Sequence, residues 1–548
     1  MASSRITRHM VTVRGERQVH YRRAGSGPPV VILHQSPTSS AEYIPWIEEL
    51  AREFTVFAPD TAGNGMSDPL IKDRPEMEDY ADGVAALLDA LKLPKVPVYG
   101  FHTGGVCALA LALRHPERIA VAIMNGYIQM EKEERDDFLA HYLPEFHPDW
   151  SGAHLTWAWS RFREQSVFFP WYRKDAGRRM LVDLPGPEKL HWAVMEFFRA
   201  GDNYRRAYRP AFTFDTAAAV RAMKGNMVIM TAKTDPLDKY MAAMPPPPPT
   251  VAVMSPANPK EAQAAAADIF RKYAAGAAPP IVGAEPMPGR IWADYLAVEG
   301  GSLYARRNTD GKGRPIMFVH ASAGSSFSMD RLMKPFVGKR PVLAVDLPGN
   351  GESDNPMGKA VTVEAQARFL AQAIRAAGYA EADVFGYWGG AAVAVELAVQ
   401  EPKLVAALAV PTLMAPDGEY LADLLAHYTP PVVPDSAGSY LIKVWHMVRD
   451  QELFAPWYKT GRANAIKAPS EADLAPEVIH RRTVDLLKAA DIYQAAYAAH
   501  FRYPVLERLA KTGCRVLLGD PADATTQKAQ KVVGGRAVTG QSLAAFFG

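Results

Sequence analysis

The chain has 548 residues, too many for one ordinary hydrophobic core, and at roughly 100–250 residues per domain it should form two large units. Its 61 Lys and Arg against 59 Asp and Glu leave a formal charge of +2, with no block of five like charges, which argues against a nucleic-acid partner. Two cysteines, Cys107 and Cys514, exclude a disulfide framework or a thiolate metal site, and no apolar run suits a signal peptide or approaches the ~18 residues of a membrane span. The expectation is therefore a soluble protein of the reducing cytoplasm, with no membrane partner.

In chain order, short apolar runs at 30–34, 55–59, 96–99, 119–124, 227–231 and 251–254 alternate with helical stretches. Strands alternating with helices predict right-handed crossovers and a mainly parallel, doubly covered sheet, an α/β fold. The run at 96–99 leads through Gly100-x-His102-x-Gly104 into a helical pattern, the layout of a sharp strand-to-helix turn that presents one side chain above a sheet. Residues 127–212 then break the alternation with helical segments crowded with aromatics, among them Trp159, Trp171 and Tyr172, which fits a helical cap inserted over the sheet. The proline run at 245–249 reads as an extended loop between the last two strands.

The whole pattern then repeats. His34 matches His320, Asp60 matches Asp346, His102 matches Trp388 and Trp171 matches Trp457, every pair 286 positions apart. Stacked solenoid units repeat every 20–50 residues, so a spacing this long marks duplication of an entire domain that can close its own core. The expected organisation is a first domain at 1–275 with its cap at about 127–212, an Ala-, Pro- and Gly-rich linker at 276–289, and a second domain at 290–548 with its cap at about 413–503. Intramolecular pairing of the two domains, resembling a homodimer fused into one chain, is expected.

Three motifs occur in fixed order in both copies: the strand ending in His34 or His320, the segments Asp60-x-x-Gly63-x-Gly65-x-Ser67 and Asp346-x-x-Gly349-x-Gly351-x-Ser353, and the turns at His102 and Trp388. On these motifs the sequence resembles the α/β-hydrolase superfamily, in the capped branch of epoxide hydrolases, haloalkane dehalogenases, C–C bond hydrolases and many esterases. Gly63-x-Gly65 lacks the third glycine and the following helix of a dinucleotide loop, so no nicotinamide cofactor is expected.

The resemblance implies a serine nucleophile on the turn, an acid after a later strand and a histidine near the domain's end. Here the turns carry His102 and Trp388, and no histidine lies between Leu237 and Val319 or after Arg536. Asp235 matches the acid position, with Asp238 as fallback; in the second copy Asp520 or Asp523 would correspond. His102 has three readings: a general base oriented by Asp235, a directly acylated nucleophile, or a hydrogen-bonding group in a ligand pocket.

The resemblance also implies an oxyanion hole from backbone N–H groups of Thr103 and of the Gln35-Ser36 loop, with the Gln35 amide a further donor. Trp159, Trp171 and Tyr172 would line the pocket or fill the cap core, and Arg163 would hold a substrate carboxylate or a salt bridge. The other histidines lack metal-ligand spacing, so no metal or other cofactor is expected. The first domain is thus expected to act on a small apolar or aromatic ester, lactone or hydroxy-ketone, with the second domain inactive. The alternatives are a ligand-binding pseudoenzyme or a lyase with the same base and oxyanion hole.

Overall fold

A computed structural model describes residues 5–467 and 473–548. The chain divides into two compact units, the first built mainly from residues up to Glu285 and the second mainly from Pro286 onward.

The first unit holds an eight-stranded sheet of β1 (Thr7–Val13), β2 (Arg17–Ala24), β3 (Pro29–Leu33), β4 (Thr55–Pro59), β5 (Val96–Phe101), β6 (Ile119–Asn125), β7 (Met227–Met230) and β8 (Val251–Met254). Their spatial order is β1-β2-β4-β3-β5-β6-β7-β8, antiparallel through β1, β2 and β4 and parallel from there on. The six anticipated apolar runs are β3 to β8. The antiparallel pair β1 and β2 is an addition: polar Arg17, Gln18 and His20 alternate with Val19 and Tyr21, and all five are buried, so the strand lacks the continuous apolar signature of a central strand.

The second unit repeats this sheet with β9 (Trp292–Val298), β10 (Gly301–Asn308), β11 (Ile316–Val319), β12 (Val342–Val345), β13 (Ala382–Gly386), β14 (Val405–Val410), β15 (Arg515–Leu518) and β16 (Ala537–Val538). Read from β9, the order is β9-β10-β12-β11-β13-β14-β15-β16, strand for strand that of the first unit. In both units helices are inserted after the sixth strand, running from Lys132–His141 to Asn203–Thr213 and from Gly418–His427 to Tyr493–Arg502.

The order of connection reverses at β3: β4 lies on one side of it and β5 on the other. Such a switch point parts the loops at the carboxyl ends of the two strands and leaves a crevice there. β3 ends beside β5 with Leu33 opposite Gly100, so the loop carrying Gln35 and Ser36 and the turn carrying His102 face each other across that crevice.

Each unit packs its sheet against a helix buried on every side. In Thr103–Arg114 every residue from Gly104 to Ala112 is buried, and Gly389–Gln400 repeats the arrangement from Gly390 to Ala398. Cys107 lies in the first of these helices, and burial raises its thiol to about 12, leaving it inert. Among the described residues no helix is long and apolar enough to cross a membrane.

Candidate active site

The turn after β5 is held by close backbone approach. A Cβ on Gly100 would fall 2.0 Å from the Gly104 carbonyl oxygen, and one on Gly104 would fall 2.4 Å from that of Leu33. Only hydrogen fits at either position, so the helix starts directly against the ends of β3 and β5. The residue between them bears the strain: His102 sits at φ 47°, ψ −112°, a conformation disfavoured for a side chain with a Cβ by about 1–3 kcal/mol. Its N–H donates to the Asn125 carbonyl at 2.8 Å, fixing the turn to β6.

The strained turn points the imidazole at Asp235, which follows β7. His102 Nε2 and Asp235 Oδ2 are 2.8 Å apart across 133 residues of sequence. The carboxylate accepts a hydrogen bond from Nε2–H, which leaves Nδ1 as the unprotonated nitrogen of that tautomer. The Cδ2–Nε2 edge packs on Gly126, where a Cβ would stand 2.3 Å from Cδ2, and the ring stacks on Phe101 at 3.9 Å between centroids. His102 is 26 % exposed and Asp235 8 %. Burial, the largest influence on Asp235, pushes its carboxyl up; the His102 charge and hydrogen bond and the Leu237 N–H outweigh it and hold it below the usual carboxylate range. Asp238 does not join the pair and faces Lys233 at 3.2 Å.

Across the crevice the Gln35 side chain donates to Glu42 Oε1 at 2.7 Å, and Thr38 Oγ1 donates to Glu42 Oε2 at 2.6 Å. The Gln35 amide is therefore engaged within its own loop. Burial raises the Glu42 carboxyl, with the two hydrogen bonds and the charges of His34 and His102 opposing the rise. Sequence reading passed over Glu42, and its only signal was a lone acid in the otherwise uncharged stretch 35–47. Ser36 is buried, and among the described residues its Oγ has no hydrogen-bond partner. Thr103 opens the 12-residue helix, whose first-turn N–H groups lack intrahelical acceptors and whose dipole favours negative charge at that end.

The other motif residues are scaffold. His34 donates from Nδ1 to the Gln35 carbonyl and accepts the Thr61 N–H at Nε2, as His320 does with Ala321 and Leu347. Asp60 accepts from His20, from Ser40 and from the Met66 N–H, and a Cβ on Gly65, at φ +54°, would lie 2.1 Å from its Oδ2. The anion cradled by this glycine turn is the protein's own carboxylate.

In the cap, Trp171 donates to the Tyr142 carbonyl at 3.2 Å and Tyr172 to Asp137 at 2.6 Å. Trp457 and Tyr458 make the same bonds to Tyr428 and Asp423, which marks these pairs as cap architecture common to both copies. Trp159 is buried at 2 % exposure, whereas Arg163 is 44 % exposed beside Glu164. The buried guanidinium is Arg161, two positions earlier, 5.2 Å from the Trp171 ring and 5.5 Å from that of Tyr204. It lies one helical turn from Trp157 on a strongly aromatic segment, a pattern that gave no sign of which arginine turned inward.

A sequence profile described as the alpha/beta hydrolase fold matches residues 28–243 and 314–435, more than half of the chain. The protein belongs to the α/β-hydrolase fold family. Over 106 residues, 19 % of this chain and 38 % of the relative, it is 33 % identical to a 2-hydroxymuconate semialdehyde hydrolase of Pseudomonas sp. (strain CF600). Over 110 residues, 20 % of this chain and 38 % of the relative, it is 40 % identical to a soluble epoxide hydrolase of Corynebacterium sp. (strain C12). These matches thus span less than half the length of either relative. Among solved structures, an E-2-(acetamidomethylene)succinate hydrolase aligns with 18 % identity and a TM-score of 0.37, covering 49 % of this chain and 99 % of that one.

Proposed function

We propose that the first unit is an enzyme of non-standard α/β-hydrolase type, in which His102 stands on the nucleophile elbow in place of serine and acts as general base. Nδ1 takes a proton from water, the hydroxide attacks the carbonyl of a small apolar or aromatic ester, lactone or hydroxy-ketone, and the imidazolium returns the proton to the leaving group. Asp235 holds the ring and stabilises its protonated form. The N–H groups of Thr103 and of the Gln35-Ser36 loop stabilise the oxyanion. Arg163, read as holding a substrate carboxylate or a salt bridge, lies beside Glu164, and the buried cation at the aromatic heart of the cap is Arg161.

The single observation behind this reading is the 2.8 Å pairing of His102 with Asp235 on a strained turn at the sheet's switch point. Among the described residues, no acid is paired with Trp388 at the corresponding place in the second unit: Asp523 follows β15 as Asp235 follows β7, but it caps the next helix through the Thr526 N–H. The second unit is accordingly read as non-hydrolytic.

The test is turnover of a panel of aromatic esters, lactones and hydroxy-ketones by wild type and by His102→Ala. Turnover that vanishes with the imidazole supports the reading. Equal turnover in both proteins refutes it, and no turnover in either favours a ligand-binding role for the same turn, in keeping with the missing serine.

A further inference from the structure

The second unit contains a cavity of about 230 Å³ between its sheet and its cap, below the ~300–1,000 Å³ of typical drug-sized pockets. Its walls include Tyr428, Phe454, Trp457, Tyr497 and Phe501. Tyr428, Tyr497 and Phe501 form one mutually packed cluster with ring centroids 5.1 to 5.7 Å apart. The charged groups in the lining, Glu452 and Arg482, are paired with each other, so the wall presents no net charge to an occupant. A carboxylate or ammonium ligand would lose its hydration here with no free counter-charge.

The lining also includes the uncharged polar side chains of Ser322 and His500. Ser322 lies in the loop after β11 and is 2 % exposed, and among the described residues its Oγ has no hydrogen-bond partner. His500 is 5 % exposed and comes from the helix Tyr493–Arg502. Its Nε2 bonds Gln366 Oε1 at 2.9 Å and so carries the proton, and among the described residues its Nδ1 has no partner. Burial, followed by the charge of His320, lowers the ring to about 4 and keeps it neutral, leaving Nδ1 an acceptor. Nδ1 is set against Gly389, the first residue of Gly389–Gln400, where a Cβ would stand 2.2 Å away. The first unit has Thr103 at that place, and its helix Asn203–Thr213 contains no histidine, so this imidazole belongs to the second unit alone.

An unpaired buried acceptor and an unpaired buried hydroxyl each carry a desolvation penalty of roughly 1–3 kcal/mol unless something bonds them. Both residues belong to the lining of one neutral, aromatic cavity that also includes Gly389 at the start of its helix. We infer that the second unit is a binding site for a neutral aromatic alcohol of one or two rings, its hydroxyl donating to His500 Nδ1 and accepting from Ser322 or the Gly389 N–H, its rings stacked among Tyr428, Trp457 and Tyr497. Binding there is non-covalent and independent of chemistry at His102.

The probe is 2-naphthol, titrated calorimetrically into the full chain as wild type, Ser322→Ala, His500→Phe and His102→Ala. The expected result is a saturable site weakened roughly tenfold by His500→Phe, several-fold by Ser322→Ala and not at all by His102→Ala. Naphthalene, lacking the hydroxyl, and 2-naphthoate, carrying charge, should both bind more weakly than 2-naphthol. If circular dichroism shows that His500→Phe misfolds, His500→Gln and Ser322→Ala carry the comparison. No saturable binding to wild type up to about 1 mM, binding indifferent to Ser322 and His500, or binding lost only with His102→Ala would each overturn the inference.

Discussion

His102 and Trp388 occupy the same backbone and different chemistry. The first sits at φ 47°, ψ −112° and the second at φ 50°, ψ −127°; the His102 N–H bonds the carbonyl of Asn125 at the end of β6 and the Trp388 N–H that of Thr412 just past β14, and each turn is flanked by glycines that admit no Cβ. Their surroundings diverge. His102 meets a carboxylate at 2.8 Å, whereas Trp388 is 50 % exposed at a cavity whose imidazole arrives from the cap side, on Tyr493–Arg502. The strained turn therefore follows from close packing of helix on sheet and does not itself report chemistry. What separates the two units is which polar group reaches the crevice and what holds it there.

The comparison breaks most severely at His102. His102→Ala should lower turnover at the first unit by roughly 10²- to 10⁴-fold, as expected for removal of a general base, with thermal stability nearly unchanged because the ring that is lost is partly exposed. Alanine keeps the Cβ and with it the strain of the turn, so any change in stability comes from the partly exposed ring alone; steady-state kinetics beside a melting curve checks both halves.

Asp235→Asn should come next, with kcat falling roughly 10²-fold or more, since an amide holds the wrong tautomer and cannot stabilise the imidazolium. It should also change the acid side of the stability profile. The folded carboxyl of Asp235 lies below its ordinary value of 3.8, so its contribution is fully present above that pH and is lost as pH falls through the lower folded value. Melting temperature against pH should show that acid limb in wild type and a shallower one in Asp235→Asn.

Gly104→Ala and Gly390→Ala test the shared backbone. A Cβ would stand 2.4 Å from the Leu33 oxygen in one and 2.5 Å from the Val319 oxygen in the other, so each should destabilise its unit by about 1–3 kcal/mol. Unequal penalties in denaturant titrations would show that the two turns are less alike than their dihedrals. The smallest effect should come from Trp388→His, which places an imidazole on the second turn without a carboxylate to orient it, because Asp523 is spent on capping Ala524–Val533. Assay in a His102→Ala background should find no restored turnover, and any restoration would give the second unit a catalytic capacity denied to it here.

Sequence alone was enough for the duplication, the sheet and the two turns, because all three are local or periodic. Apolar runs bounded by turns make strands, a constant offset of 286 positions shows the repeat, and Gly-x-x-x-Gly marks a turn only glycine can close. The pairing of His102 with Asp235 was legible for a related reason: in a parallel sheet, loops after neighbouring strands emerge on one edge. β2 was less legible, because its buried polar residues are satisfied by partners that sequence does not reveal, such as the His20 to Asp60 bond. Glu42 gave only a faint signal, since its place in the crevice depends on hydrogen bonds from Gln35 and Thr38.

The tertiary structure alone decided which of two arginines on one helix turned inward. Arg161 and Arg163 differ by two positions and hence by about half a turn, a difference that matters only once the aromatic cluster fixes which face is inside. It also decided that a histidine reaches the second cavity, 111 residues after the glycine it rests on: His500 follows Gly389 at that distance in sequence, and contact requires both a missing Cβ and the cap folded over the sheet. Periodicity specifies elements, but which side chains from distant elements meet is set by packing in three dimensions.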